Sequence, residues 1–281
     1  MSLLSSLFPN YFLPDINNVV LFGESGAGKS SIINMLSEEE VAKISSSAVG
    51  CTFRSKRYRI NINDKPVTLW DTAGLNEGDQ GKVPKAEAIV ELYKLLRNLS
   101  DGVSLLMFVM RAPRITESVT HNWKFFRDVV CMGKVPTVIV VTGLEGEVKN
   151  PGDNMDNWWR DNEGLFRTYQ ITPHGHACIT ATRGRMIGDG YCVYDDLFER
   201  SKHDVRELIR TKSTSNPLRV PPAQWFSSIV EMSIKLPCLK WVWVLKERVE
   251  VAETTLKILK EKYGMADFEA QDLAEKMNRY K

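Results

Sequence analysis

Residues 23–30 read Gly-Glu-Ser-Gly-Ala-Gly-Lys-Ser, and this stretch decides the fold. The spacing is G-x-x-x-x-G-K-S, in which Gly26 and Gly28 permit a positive φ and remove the Cβ that would keep an anion away from the backbone. The N–H groups of such a loop and of the helix behind it are expected to point at phosphate. Lys29 is suited to reach the β- and γ-phosphates, and Ser30 to coordinate Mg²⁺. The stretch therefore predicts a phosphate-binding loop, or P-loop.

The elements on either side of this loop have the order that such a site requires. Residues 16–22 form a short apolar run that predicts a buried strand, and residues 30–36 open a helix. The loop and the first turn of the helix would then line the nucleotide. The predicted nucleotide-binding residues at this end are Glu24, Ser25, Gly26, Ala27, Gly28, Lys29, Ser30 and Ser31.

Strands and helices alternate from residue 16 to about residue 211. This pattern predicts an α/β fold, a doubly wound P-loop domain around a mainly parallel sheet. Further strands are expected at 57–62, 67–70, 103–110, 137–141 and 177–180, the first two joined by a turn at 63–66. Helices are expected at 119–130, 158–169 and 195–210.

The two ends of the chain differ in composition from this domain. Residues 1–15 lack Lys and Arg, which predicts an N-terminal tail rather than a secretory signal. Ser, Thr, Asn and Pro cluster in residues 212–223, which predicts a linker between the domain at 16–211 and a helical C-terminal extension at 224–281. The apolar stripe of that extension would pack on the domain, serve a partner or a second copy, or lie on a membrane surface.

Composition argues against several classes of protein. The chain has 281 residues and a net charge of +2, which gives no reason to expect nucleic acid or a membrane as a partner. Its five cysteines show no C-x-x-C spacing, which argues against a disulfide scaffold or a zinc site. We therefore expect a reducing, cytoplasmic environment. An uninterrupted apolar run of about 18 residues is absent, so the sequence predicts no transmembrane helix.

A second element bears on the metal and the γ-phosphate. Asp71-Thr72-Ala73-Gly74 follows the apolar run at 67–70, where Asp71 can hold Mg²⁺ through water and the Gly74 N–H can contact a γ-phosphate. Thr52 lies between this element and the P-loop and is suited to close over the metal, with nearby serines as alternatives. The predicted metal ligands are Ser30, Thr52 and Asp71. Cys51 adjoins Thr52 among basic residues, so it is a candidate redox-active thiol.

These motifs resemble the TRAFAC-class GTPases, which combine a P-loop, a switch threonine and Asp-Thr-Ala-Gly. Within that class the chain looks most like the septin-related group, which contains the immunity-associated nucleotide-binding proteins and the chloroplast import receptor GTPases. The resemblance covers about 19–184 and implies a Mg²⁺-dependent GTPase that forms homodimers and acts on an effector protein. Three details carry it: Ser31-Ile32-Ile33-Asn34, Leu75 after Asp-Thr-Ala-Gly, and Arg114-Ile115-Thr116.

The base-reading motif departs from that family. The family has Asn or Thr, a variable pair and then Asp, whereas this chain has Thr142-Gly143-Leu144-Glu145. Glu145 would accept hydrogen bonds from guanine with one extra methylene, and Gly143 replaces the lysine that packs along the base. We expect GTP, with ATP or relaxed base specificity as the alternative. Thr182 lies where the family's last motif would cradle the base.

Leu75 also bears on the chemistry, because it cannot orient water as glutamine does in Ras-like proteins. The resemblance therefore implies slow hydrolysis by the monomer, with help in trans for which Arg111 and Arg114 are candidates. The predicted catalytic residues are Lys29, Thr52, Gly74 and Arg114. The alternatives are a nucleotide-gated scaffold that barely hydrolyses and an ATPase or small-molecule kinase.

Overall fold

A computed structural model of the chain describes residues 17–37, 42, 54–73, 94–99, 101–113, 117–148, 153–222, 224–225, 260–261, 266–268 and 271. Its strands are β1 (Asn17–Phe22), β2 (Arg54–Ile62), β3 (Lys65–Ala73), β4 (Leu105–Arg111), β5 (Thr137–Thr142), β6 (His176–Cys178), β7 (Met186–Gly188) and β8 (Tyr191–Cys192). Its α-helices are α1 (Lys29–Ser37), α2 (Glu117–Lys124), α3 (Asp156–Thr168) and α4 (Asp195–Lys212). A π-helix (Phe125–Val130) and a 3₁₀-helix (Glu145–Glu147) complete the named elements. No helix among the described residues is long and apolar enough to cross a bilayer.

Six strands form one sheet in the order β2-β3-β1-β4-β5-β6. Every neighbouring pair is parallel except β2 and β3, which are antiparallel. Ile62 pairs with Lys65 across a two-residue turn, whose residues Asn63 and Asp64 both have positive φ, at 49° and 62°. Asn and Asp tolerate that conformation, and it matches the twist of the hairpin. The predicted mainly parallel sheet is confirmed.

Helices cover both faces of this sheet. Residues of β1 alternate between the faces, with Val20 and Phe22 in one buried cluster and Val19 and Leu21 in the other. The first cluster is aromatic and joins the sheet to α2, the π-helix and α3, whereas the second is mainly aliphatic and joins it to α1 and α4. Burial on both faces explains why β4 and β5 are continuous apolar runs. The predicted doubly wound α/β architecture is confirmed.

The helix expected at 119–130 is instead two elements. α2 ends at Lys124, and the chain continues as a π-helix from Phe125 to Val130. The wider π turn allows the consecutive side chains of Phe125 and Phe126 both to be buried, and Phe126 stacks on Phe22 at 4.5 Å between ring centroids. The small β7–β8 hairpin was not predicted at all, because its short strands are largely exposed and lack a buried face.

The segment predicted as a linker lies against the domain. Leu218 pairs with Val103 as an antiparallel bridge, and the Thr214 N–H donates to Ser104 O at 3.0 Å. Trp225 is fully buried, and its indole N–H donates to the carbonyl of Val130 at the end of the π-helix. Thr214 and Leu218 are therefore anchored to the sheet, and Trp225 to the aromatic cluster.

Candidate functional site

The P-loop connects β1 to α1 at the carboxyl end of the parallel strands, where α/β sheets bind ligands. Gly23 has a φ of +146°, and a Cβ at this position would lie 1.9 Å from the carbonyl oxygen of Val109. Gly28 has a φ of +99°, and its Cβ would lie 3.1 Å from the side chain of Thr142. These two glycines let the loop pass close to β4 and β5. At position 23 any residue with a Cβ would clash with β4.

Lys29 supplies the positive charge of the loop. Its side chain is buried, and Nζ donates to the carbonyl oxygens of Gly23 at 2.9 Å and Glu24 at 2.8 Å. A buried ammonium group needs such acceptors, because burying a charge without partners is costly. The loop carbonyls therefore hold the ammonium group at the point where a polyphosphate would meet it, as the spacing predicts.

Ser30 and Asp71 meet beside the loop. The Ser30 hydroxyl donates to Asp71 Oδ2 at 3.0 Å, and the Thr72 hydroxyl donates to Leu21 O at 2.7 Å, which ties the end of β3 to β1. Burial first, and the charge of Asp71 second, raise the pKa of Tyr58 on the neighbouring strand, so its hydroxyl stays protonated. The structure thus brings together two of the three predicted metal ligands.

The donor set fits Mg²⁺, which prefers oxygen ligands and keeps several waters while one or two side chains and substrate phosphates complete its shell. A hydroxyl and a carboxylate 3.0 Å apart match that preference. The described residues contain no group of three or more His, Cys, Asp or Glu side chains placed to hold a metal, so a dedicated all-protein cage is not formed there. Ser30 and Asp71 are the residues that would hold the ion.

Thr142, the last residue of β5, contacts the P-loop. Its hydroxyl donates to the Ala27 carbonyl at 2.7 Å and lies 3.3 Å from the Met110 carbonyl, and the residue is buried. The contact joins the end of β5 to the P-loop. The Thr142 hydroxyl thus binds the loop that is predicted to hold the nucleotide, and its own predicted contact with the nucleotide stays a prediction.

Glu145 begins the 3₁₀-helix that follows β5, and its side chain is 21% exposed. Its Oε2 is buried and forms no hydrogen bond within the described part of the chain, whereas its Oε1 lies 4.0 Å from Nη2 of Arg111. A buried carboxylate oxygen with spare acceptor capacity suits the N–H groups of a guanine edge. Because Oε2 is buried, the side chain would have to turn to present both oxygens to a base, and the role of Glu145 as base reader stays a prediction.

Thr182 lies in the loop after β6, next to the Glu145 loop. The Ile179 N–H donates to Val141 O at 2.8 Å, and the Leu144 N–H to Ile179 O at 3.5 Å, so the two loops run side by side. The Thr182 N–H already donates to the Thr180 hydroxyl at 3.4 Å. This hydrogen bond lies within the loop after β6 and stabilises its conformation. The structure therefore assembles the predicted base end from the loops after β5 and β6.

Three of the predicted catalytic residues, Thr52, Gly74 and Arg114, lie outside the described residues, as do Cys51 and Leu75. Ser31, predicted to bind nucleotide, follows Ser30 within α1. Asn34, one of the residues behind the family resemblance, exchanges two hydrogen bonds with the backbone of Ala42, at 2.8 and 2.7 Å. Asn34 therefore fixes the backbone of Ala42 against α1.

Sequence reasoning gave Arg111 only a possible role in trans. In the structure it ends β4 in register with Thr142, which places its side chain at the base end of the site. The available signal was that parallel strands end at the same edge of a sheet, so the residue ending β4 neighbours the motif ending β5.

Residues 18–142 match the family described as 50S ribosome-binding GTPase. Relatives include the mitochondrial tRNA modification GTPase mss1 of Schizosaccharomyces pombe, 35% identical over 106 residues that make up 37% of this chain and 21% of that protein. The tRNA modification GTPase MnmE of Actinobacillus pleuropneumoniae is 28% identical over 66% of this chain and 38% of its own length. The chain thus spans well under half the length of these relatives.

Solved structures with a similar course of the chain include Aquifex aeolicus Era bound to GDP and AlF₄⁻, at 16% identity and a TM-score of 0.46, covering 79% of this chain and 67% of that one. Toc33 from Arabidopsis thaliana matches at 15% identity and a TM-score of 0.42, over 73% of this chain and 88% of that one. Over residues 18–142 the chain is therefore similar in sequence to P-loop GTPases of the TRAFAC type. These matches do not single out the septin-related group.

Proposed function

We propose that this protein is a GTP-binding, slowly hydrolysing molecular switch that requires Mg²⁺ and dimerises through its nucleotide face. One observation carries the nucleotide site: the buried Lys29 ammonium lies inside the P-loop next to the Ser30–Asp71 pair. A cation, a ring of backbone amides and a pair of metal-binding oxygens are the three components that bind a nucleoside triphosphate. The match of residues 18–142 to GTPases supports GTP as that triphosphate.

At the phosphate end, Lys29 and the loop amides would neutralise the charge that spreads over the transferred phosphoryl group. Bound Mg²⁺ supplies further charge neutralisation on the phosphate oxygens. Ser30 and Asp71 hold the ion, and Thr142 keeps the loop in place through Ala27. In this proposal Thr52 and Gly74 contact the γ-phosphate and release it on hydrolysis, which makes the site a switch.

At the base end, Glu145 would accept the N1–H and 2-amino groups of guanine. Adenine offers an acceptor at N1 and no 2-amino group, so it places an acceptor against the carboxylate and supplies neither of these donors, and such an arrangement is disfavoured. This argument favours GTP over ATP. Relaxed base specificity is the alternative, because the glutamate is one methylene longer than the family's aspartate.

Hydrolysis by the monomer is expected to be slow, because Leu75 can neither accept a proton nor orient water. We therefore place Arg114 in the role of a cation supplied by a second copy. The output is an effector protein contacted when the triphosphate is bound. We keep the cytoplasmic location and the absence of a nucleic-acid partner as predictions; the tRNA activity in the names of two relatives belongs to those proteins.

A nucleotide titration tests the proposal most directly. Wild type should bind GTP and GDP at least about tenfold more tightly than ATP and ADP with Mg²⁺ present. Lys29→Ala should weaken binding of all four by about 100-fold or more, because it removes the only side-chain cation that lies in the loop itself. The exposed Lys134 provides the control, and Lys134→Ala should bind like wild type. No affinity of wild type for any of the four would end the proposal.

Dimer-assisted hydrolysis has its own test. The rate per protomer should rise with protein concentration in wild type and stay low and flat in Arg114→Ala. A rate independent of concentration in both proteins would remove the dimer from the mechanism. A scaffold that barely hydrolyses would instead show tight binding of GTP and negligible single-turnover hydrolysis at every concentration.

A further inference from the structure

The side chain of Arg111 lies across the base-reading motif. Arg111 ends β4 opposite Thr142, and the next N–H, that of Ala112, donates to Thr142 O at 3.0 Å. A Cβ built on Gly143 would lie 3.2 Å from both Cγ and Cζ of Arg111 and 3.3 Å from its Nε. The guanidinium and its stem therefore occupy the space where the lysine side chain of the family's motif would begin.

The backbone at Gly143 opposes a lysine for a second reason. Its φ is +80°, in the left-handed region that costs a residue with a Cβ roughly 1–2 kcal/mol. Two features of this chain thus disfavour the usual side chain at this position. The cation that would pack along a base comes instead from the neighbouring strand.

Glu145 and solvent complete the surroundings of Arg111. Glu145 Oε1 lies 4.0 Å from Arg111 Nη2, and the arginine side chain is 59% exposed. An ion pair this long and this exposed contributes little to stability, and the guanidinium stays accessible to a ligand. Arginine is suited to this position, because its planar guanidinium stacks on aromatic faces as a lysine ammonium cannot.

We propose that Arg111 stacks on the face of the purine and replaces the missing lysine, while Glu145 reads the edge of the base. The inference rests on the proposed function, since it requires a purine nucleotide in the P-loop. It divides the base end into two tasks: Arg111 contributes affinity for any purine, and Glu145 contributes the preference for guanine.

Equilibrium titrations with GDP, IDP, ADP and inorganic pyrophosphate, all with Mg²⁺, separate these tasks. Arg111→Ala should raise Kd for the three nucleotides by a common factor of about 3 to 30 and leave pyrophosphate unchanged. Arg111→Lys should lie between wild type and Arg111→Ala, because it keeps the charge and loses the plane. Glu145→Gln should reduce the ratio of ADP to GDP dissociation constants, which Arg111→Ala leaves intact.

The matched control is Arg167→Ala, which breaks the exposed Arg167–Glu163 pair on α3, an element that contributes no predicted site residue. If Arg111→Ala binds all ligands as this control does, the inference is wrong. Three other results would also contradict it. Weaker binding of GDP alone would place Arg111 at the edge of the base, and weaker binding of pyrophosphate would place it at the P-loop. Slower hydrolysis per protomer with Kd unchanged would assign it to the reaction in trans. Failure of wild type to bind any nucleotide would instead overturn the proposed function.

Discussion

The phosphate end of the site is formed mainly by backbone groups, whereas the base end is formed by side chains. At the phosphate end the contacts are mainly with backbone: loop carbonyls hold Lys29, and Gly23 passes against the carbonyl of Val109. At the base end the groups are the side chains of Arg111 and Glu145. A site made of backbone groups tolerates one spacing of glycines, whereas a contact made by a side chain can be supplied by a residue of a neighbouring strand.

This difference explains which motif departs from the family pattern. The P-loop keeps its full spacing, and at Gly23 a Cβ would meet backbone that cannot yield. The base-reading motif has Glu145 for aspartate and Gly143 for lysine, and the flexible Arg111 lies where that lysine would begin. Substitutions at the phosphate end should therefore reduce stability more than substitutions at the base end.

Gly23→Ala should have the largest effect. Its Cβ would lie 1.9 Å from Val109 O, and neither strand can move away without breaking the sheet. We expect a loss of at least about 3 kcal/mol in unfolding free energy, measured by urea denaturation. Gly164→Ala in α3 is the control, since nothing lies within 4 Å of its Cβ and alanine should stabilise that helix by up to about 1 kcal/mol. A Gly23→Ala protein as stable as wild type would refute the rigid phosphate end.

Thr142→Val should have the second largest effect. The change keeps the shape of the side chain and removes the hydroxyl that donates to Ala27 O at 2.7 Å. A buried carbonyl without that donor should cost about 1–3 kcal/mol. Because Thr142 holds the loop, Kd for GDP and ADP should rise by the same factor. A selective loss of GDP binding would place Thr142 among the base readers instead; Thr168→Val, on the exposed end of α3, is the control.

Gly143→Ala should be milder than Gly23→Ala, although both glycines have positive φ. The new Cβ meets the side chain of Arg111 at 3.2 Å, and that side chain can swing into solvent. We expect a loss of about 1 kcal/mol from backbone strain alone. Gly133→Ala isolates the strain, because Gly133 has a φ of +66° and nothing within 4 Å of its Cβ. A Gly143→Ala protein much less stable than Gly133→Ala would show that the base end is also rigid.

Acidification should have the smallest effect on the free energy of unfolding, and it should act at β6, the strand that leads to the base end. Burial lowers the pKa of His176 in β6 below its ordinary 6.5, while Asp156 and Glu163 partly oppose this shift. Between the lowered pKa and 6.5 the unfolded chain binds more protons than the folded one, so stability is complete above about pH 6.5 and falls as the pH drops through that window.

His176→Phe keeps an aromatic ring against Trp159, whose ring centroid lies 4.2 Å from that of His176. The variant should therefore retain its stability near neutral pH and show a shallower decline between pH 6.5 and 5 in thermal melts. An unchanged slope would mean that other groups carry the pH dependence of the fold.

Much of the architecture could be predicted because its signals are local. The alternation of apolar runs and helical patterns predicted the order of the elements. A turn was expected at 63–66, and the structure shortens it to Asn63 and Asp64, because Lys65 and Pro66 already pair with β2 as part of β3.

The π-helix could not be predicted, since six residues are too few to distinguish its wider turn from that of an α-helix. Packing of the C-terminal extension on the domain was one of the predicted alternatives, but the contacts of Leu218 with Val103 and of Trp225 with Val130 depend on where these residues lie in space.

The candidate site divides in the same way. Lys29, Ser30 and Asp71 were predicted and lie together, because their spacing and their position at strand ends follow from the motif. Glu145 and Thr182 were predicted from the resemblance and lie in adjacent loops. The roles of Thr52, Gly74 and Arg114 stay predictions, since these residues lie outside the described part of the chain.

The amino-acid sequence by itself determined the phosphate loop, the alternating strands and helices and the departure at 142–145, because each depends on residues close together in the chain. Only the tertiary structure decided that Thr142 supports the loop through Ala27 and that Arg111 covers Gly143. Both contacts cross from one strand to another, and side-chain spacing along a single strand does not specify the register with its neighbour. The packing of the helices on both faces of the sheet sets that register.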